Sequence, residues 1–195
     1  MFTTISLYSL ALFLHIIGAL VLFVGLGLEW ASLSYLRRAA TIDQAREWLS
    51  MFSAQRRLNP VSWLAILIPG FYMAATAWRG VAWTTIAMAA VILMALVGAA
   101  LTGRRMAPIG QSVVVENGPI SSTLRQQLSD PLLWASLRIR TAIALGIVFI
   151  MTVKPGLFGA LISLGVAILL GLAFSLPAWG GDREKGQTRQ ASDNL

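Results

Sequence analysis

Apolar positions gather into five long runs separated by short polar breaks. The first run, 5–28, is interrupted only by Ser, Tyr, His and Gly. At 1.5 Å per residue such a helix reaches roughly 36 Å, past the ~30 Å hydrocarbon core of a bilayer. Runs 60–78 and 81–102 are parted only by Arg79-Gly80 and so form a hairpin. The last two, 131–153 and 156–176, are parted by Lys154-Pro155-Gly156, and Pro177 closes the last. The uncharged part of the fourth run, 141–153, is too short to cross. That span must start at Pro131 with Asp130 as its cap, which brings Arg138 and Arg140 to the membrane boundary. The fold class expected is all-α: a polytopic transmembrane helix bundle of five spans in one domain, 1–179, followed by a polar tail, 180–195.

The breaks carry their own signals. Asn59-Pro60 reads as a helix cap with proline at the first helical position of span two. Thr41-Ile42-Asp43-Gln44 has the form of a capping box. Beyond it Ala45, Trp48, Leu49 and Phe52 recur at helical spacing. This predicts an amphipathic helix that either lies on the inner leaflet or packs on its own neighbours as a connector. Between Pro108 and Asp130 a loop is expected, with a turn at Glu116-Asn117-Gly118-Pro119 and a short polar helix starting at Ser121 or Ser122.

Composition points the same way. Hydrophobic residues make up 57% and charged residues 12%, against about 45–50% and 25% in soluble domains. So few charges cannot cover a water-facing surface. The net charge of +7 would suit nucleic acid, but the arginines are split among loops as on the inner face of a membrane protein. All but Arg79 and Lys154 of the 15 basic residues lie on one side of the five runs: Arg37, Arg38, Arg46, Arg56 and Arg57 in one loop; Arg104, Arg105, Arg125, Arg138 and Arg140 in the next; Arg183, Lys185 and Arg189 in the tail. The positive-inside rule places the N-terminus outside and the C-terminus in the cytoplasm. Trp30, Trp63, Trp134 and Trp179 would mark the inner interface, Trp78 and Trp83 the outer one. Nothing basic precedes Arg37, so the first run is expected to be a retained span of a multi-pass bacterial inner-membrane protein rather than a cleaved signal.

The absence of cysteine removes thiolate chemistry, and a single histidine removes a multi-histidine metal site within one chain. No nucleotide loop, acid–base pair or nucleophile constellation appears, so the composition leans away from an enzyme. Two faces stand out. Span five has a small residue at every fourth position, Gly159, Ser163, Ala167, Gly171 and Ser175, a contact face for another helix of this chain, of a second copy or of a partner. Span one carries Tyr8, Ala11, His15, Gly18, Leu22, Gly25 and Glu29 along one side. His15 falls near mid-membrane, where an ionisable group is costly enough to suggest function. The plainer reading is a neutral ring donating to a carbonyl or hydroxyl on a neighbouring helix. Arg138 and Arg140 either snorkel to lipid phosphates or hold an anionic group, with Glu29 as a candidate counter-charge. Pro69-Gly70 frees the Ala65 carbonyl and should kink span two, either as shape alone or opening a cavity beside Tyr72 and Met73. Met73, Met88 and Met94 read as core filler.

The stretch Leu14-His-Ile-Ile-Gly-Ala-Leu-Val-Leu-Phe-Val-Gly-Leu-Gly-Leu28 resembles the first helix of the copper-resistance-D-like group of small bacterial integral membrane proteins. That group includes predicted membrane proteins without assigned activity and a haem-binding, membrane-embedded protoporphyrinogen oxidase. In the oxidase the helix-one histidine is a haem ligand, so the resemblance implies that role, and with it haem b, for His15. The oxidase also uses an intramembrane lysine, whereas the only membrane-adjacent lysine here is Lys154 in a turn. Candidate cofactor-binding residues are therefore Tyr8, His15, Gly18, Arg138 and Arg140, with His15 the metal ligand. A transporter subunit lined by the span-one stripe, and an assembly protein that binds partner helices through the span-five ladder, stand as alternatives.

Overall fold

The computed structural model describes residues 6–175, the side chain of Ala54 apart. Expectations for Pro177, Trp179 and the tail 180–195 lie outside the described residues. Those residues fold into helices α1 (Leu7–Arg38), α2 (Ile42–Thr76) and α3 (Ala82–Val97), a π-helical turn (Gly98–Gly103), then α4 (Arg104–Val115), α5 (Ser122–Leu128), α6 (Pro131–Val153) and α7 (Leu157–Ala173). Four stretches are long and apolar enough to cross a membrane: Leu7–Arg38, Ile42–Thr76, Ala82–Val115 and Ser122–Val153. Leu157–Ala173 is a shorter apolar helix.

Two compact units make up the chain. The first comprises the chain up to Thr85 with Pro108–Leu128; the second comprises Ile86–Ala107 with the chain from Ser129. In the first, α1 starts where the Ser6 hydroxyl accepts from the Ser9 amide, and it runs ten residues beyond the apolar run. Leu33 and Leu36 explain the extension, since both are fully buried there.

Helix α2 corrects one expectation and decides between two readings. It does not begin at Asn59-Pro60: the capping box at Thr41 starts it, and it passes through Pro60 and Pro69 to Thr76. A proline inside a helix forfeits one backbone hydrogen bond and crowds the preceding turn. Here α1 continues alongside, and a start of α2 only at Pro60 would leave out of the helix Ile42, Ala45 and Phe52, all buried. Of the two readings of the amphipathic segment, the connector packed on its own neighbours is the observed one. Arg46 ties it to the α4–α5 turn, donating to the Val113 and Glu116 carbonyls (3.1 and 2.9 Å) and to Asn117 Oδ1 (2.9 Å). The Ile42 amide donates to the Gly118 carbonyl and the Ile120 amide to that of Ala40. Tyr35 stacks on Trp48 at 4.1 Å.

The expected loop from Pro108 is a second correction. Helix α4 continues to Val115 because Ile109 and Val113, four apart, are both buried. The turn itself falls where expected, with Gly118 at φ +87, which a side chain would resist. α5 follows at Ser122.

In the second unit α6 starts as predicted. Asp130 accepts from the Leu132 amide at 2.8 Å with Pro131 at the first position, and its other oxygen accepts from Arg105 Nε at 2.6 Å. Lys154 ends α6 in the left-handed conformation. Trp83 and Trp134 are both buried within the protein.

Candidate functional site

The antiparallel pair α1–α2 positions the sole histidine. Small residues on α1 let α2 come within backbone contact: a Cβ added to Gly18 would lie 2.8 Å from the Ala65 carbonyl carbon and 2.9 Å from Ile66 Cγ1. Close approach brings polar groups into reach across the seam. His15 Nδ1 lies 2.8 Å from the Ile66 carbonyl, and Ser62 Oγ donates to the Gly18 carbonyl at 3.0 Å. A carbonyl oxygen can only accept, so Nδ1 carries the hydrogen, and in the neutral ring Nε2 then holds the lone pair. Gly70 completes the seat: a Cβ there would meet His15 Cε1 and Nδ1 at 3.3 Å. His15 is half-buried.

Above and below this point the seam stays polar. Tyr8 accepts from Trp78 Nε1 at 3.3 Å, and Trp78 meets Trp83 edge to face at 5.3 Å. Toward the Thr41 end, Gln55 donates to Asn59 at 3.1 Å, and both lie 3.5 Å from where a Gly25 Cβ would sit. Glu29, Ser32 and Gln55 are buried. These pairings show that the span-one stripe faces α2. Tyr8, His15 and Gly18 come together along one seam, at three depths.

Arg138 and Arg140 belong to the second unit. Arg138 donates to the Phe174 carbonyl at the end of α7 at 2.7 Å. Arg140 lies against Gly98, where an added Cβ would be 3.2 Å from its Cδ, and its Nη2 contacts Thr102 Oγ1 at 3.3 Å. Thr102 and Ser136 share a hydrogen bond of 2.9 Å, both buried. The π-turn therefore lies beside an arginine and two hydroxyls, and π-bulges inside α-helices are frequent at functional sites.

Two residues of the span-five ladder, Ala167 and Gly171, pack against α6. Cβ atoms added to Gly146 of α6 and Gly171 of α7 would lie 2.8 Å from Ala167 Cβ and from Ile139 Cα respectively. Ser163 and Ser175 donate to carbonyls of their own helix, Gly159 and Gly171, at 2.7 Å. A Cβ on Gly159 would meet Pro155. Met73 and Met94 are buried.

Sequence reasoning missed Gln55, Asn59 and Ser62. Their spacing of four and three was a readable signal, a polar stripe that continues into Ile66 and Gly70. Thr102 and Ser136 left no pattern. Among the described residues, no three His, Cys, Asp or Glu side chains gather as for a bare metal ion. Comparison with family models, with curated proteins and with solved structures gives no match.

Proposed function

We propose that this chain is a five-span bacterial inner-membrane protein, N-terminus outside and C-terminus cytoplasmic, that carries haem or a similar prosthetic group on His15. The observation that carries this reading is the 2.8 Å contact between His15 Nδ1 and the Ile66 carbonyl. An imidazole whose one nitrogen donates to a backbone carbonyl is fixed in orientation and tautomer, and its other nitrogen is the basic one; metal-ligating histidines are held in this way. A single imidazole suits a metal that brings most of its ligands with it, as a porphyrin does. The likeness of Leu14–Leu28 to the copper-resistance-D-like group adds to this. Bound there, haem would supply one-electron or gas-ligand chemistry. The chain's own part is to hold His15 on α2 through Ile66 and Gly70, and to pack Gly18 and Tyr8 along the same seam.

The same hydrogen bond would also serve a histidine that only packs, so the test must separate the two. Protein purified in mild detergent from haem-replete cells should show a Soret band that shifts with dithionite. His15→Ala should lose it almost completely. His15→Gln, whose amide can still donate to the Ile66 carbonyl, should also lose it while keeping the thermal stability of the haem-free parent. A featureless parent spectrum, or a band unchanged in either variant, overturns the haem reading. The orientation has a separate test, since the chain has no cysteine. Ala77→Cys should label with an impermeant maleimide on spheroplasts, and Ala40→Cys only after lysis; the reverse pattern refutes it.

A further inference from the structure

The outward surface of the α1–α2 pair changes character at one level, and two arginines stand at that level. On α2, Glu47, Ser50 and Ser53 lie on one exposed face with Arg57. Beyond Arg57 the same face carries exposed Val61, Leu64 and Ile68. On α1, exposed aliphatic residues run through Leu20 and Val24 to Gly27, and beyond them the exposed large hydrophobic is the amphipathic Tyr35. Gly25 sits beside Gln55 and Asn59, so the α1 boundary falls within a turn of Arg57. Two helices thus change surface character at one level, which the membrane-spanning reading makes the boundary between hydrocarbon and headgroups.

Arg56 and Arg57 are both exposed. Among the described residues neither makes an ion pair or a side-chain hydrogen bond, whereas Arg46 is bound by Asp43, Asn117 and two carbonyls. Successive helical positions point about 100° apart, so the two guanidinium groups can approach one headgroup from two sides. Guanidinium pairs with phosphate through paired N–H donors. We propose that Arg56 and Arg57 form a binding site for an anionic phospholipid, its phosphate held by both side chains and its acyl chains lying along Val61, Leu64 and Ile68. Phosphatidylglycerol keeps its phosphate charge uncompensated, and phosphatidylcholine does not, so the site selects the former. This inference rests on the membrane-spanning reading of α2 and is independent of His15.

The full chain in detergent is titrated with phosphatidylglycerol or phosphatidylcholine, following thermal unfolding and bound lipid by native mass spectrometry. Phosphatidylglycerol should bind and stabilise, phosphatidylcholine much less. Arg56→Gln/Arg57→Gln should weaken phosphatidylglycerol binding roughly tenfold or more, the scale expected of two arginines at a charged headgroup. Arg37→Gln/Arg38→Gln removes the same charge about three turns away and should leave binding nearly unchanged. Equal loss in both double variants would mean diffuse attraction and overturn the site. Equal binding of the two lipids would also overturn it. So would the same stabilisation by inorganic phosphate, which would make the ligand a free anion. The chromophore spectrum of the variants is unaffected if only this inference fails.

Discussion

The pairs α1–α2 and α6–α7 are both built on small residues, yet the polar groups along the middle of each seam are used in different ways. Across α1–α2 the side chains of His15 and Ser62 bond to the backbone of the facing helix. Across α6–α7 the closest approaches are Gly146 to Ala167 and Gly171 to Ile139; Thr141, Ser163 and Ser175 bond back to carbonyls of their own helices, and the crossing bond, Arg138 to the Phe174 carbonyl, lies at the end of α7. Small residues let helices approach in lipid, where van der Waals packing and interhelical hydrogen bonds drive association. A small-residue stripe therefore predicts closeness and nothing more. The polar groups that cross a seam separate a place able to hold a ligand from one that only holds the bundle together.

The largest effect should come from Gly171→Leu. The atom that its Cβ would meet at 2.8 Å is a backbone Cα, Ile139, which cannot rotate away as a side chain can. Overpacking of this kind costs about 3 kcal/mol or more, enough to separate α7 from α6. Thermal unfolding in detergent should show a large loss, and any chromophore at His15 should survive at low temperature. A wild-type melting curve would mean that the α6–α7 contact is not a stabilising one.

Next in size is a contrast inside the first pair. At Gly18 an added methyl group meets Ala65 and Ile66 below 3 Å, whereas at Gly25 its nearest neighbours stand at 3.5 Å. Gly18→Ala should cost about 1–3 kcal/mol from overpacking, offset by roughly 1 kcal/mol of helix propensity. Gly25→Ala gains that propensity without the clash and should be neutral or slightly stabilising. If the two melt alike, the close approach at Gly18 is not what sets the seam.

Much of this arrangement was legible beforehand. The start of α6 at Pro131 follows from two things visible in the sequence, a span too short without it and an Asp-Pro cap. The stripe Tyr8, His15, Gly18 and Gly25 follows from spacing alone. The run of α2 through Pro60 was not legible, because local chemistry there favours a helix start and the reason to continue lies in α1, far away in sequence. The same holds for Pro108 in α4, where burial of Ile109 and Val113 overrides a local break. The π-turn at Gly98–Gly103 has no sequence signature here, and Arg140 beside Gly98 becomes visible only in three dimensions. For the histidine, its face was readable; its acceptor was not, since a backbone carbonyl carries no residue identity.

The smallest effect sharpens the comparison most. Ser62 and Ser163 are both serines on helices long or apolar enough for the membrane interior, and each donates one hydrogen bond to a glycine carbonyl. Ser62 reaches Gly18 on the other helix, while Ser163 reaches Gly159 one turn back on its own. An interhelical hydrogen bond in a bilayer protein contributes about 0.6 kcal/mol on average. The bond within a helix is available whether or not the helices have docked, so it contributes about nothing to docking. Ser62→Ala should therefore lower the melting temperature by a small, measurable amount, and Ser163→Ala should leave it unchanged. Combining each with Gly18→Ala extends the test. Pushing α1 from α2 should also break the Ser62 bond, so Ser62→Ala should add less in that background than alone. Ser163→Ala should add nothing in either. Equal losses from the two serines would erase the distinction between the seams and leave His15 as one packing residue among others.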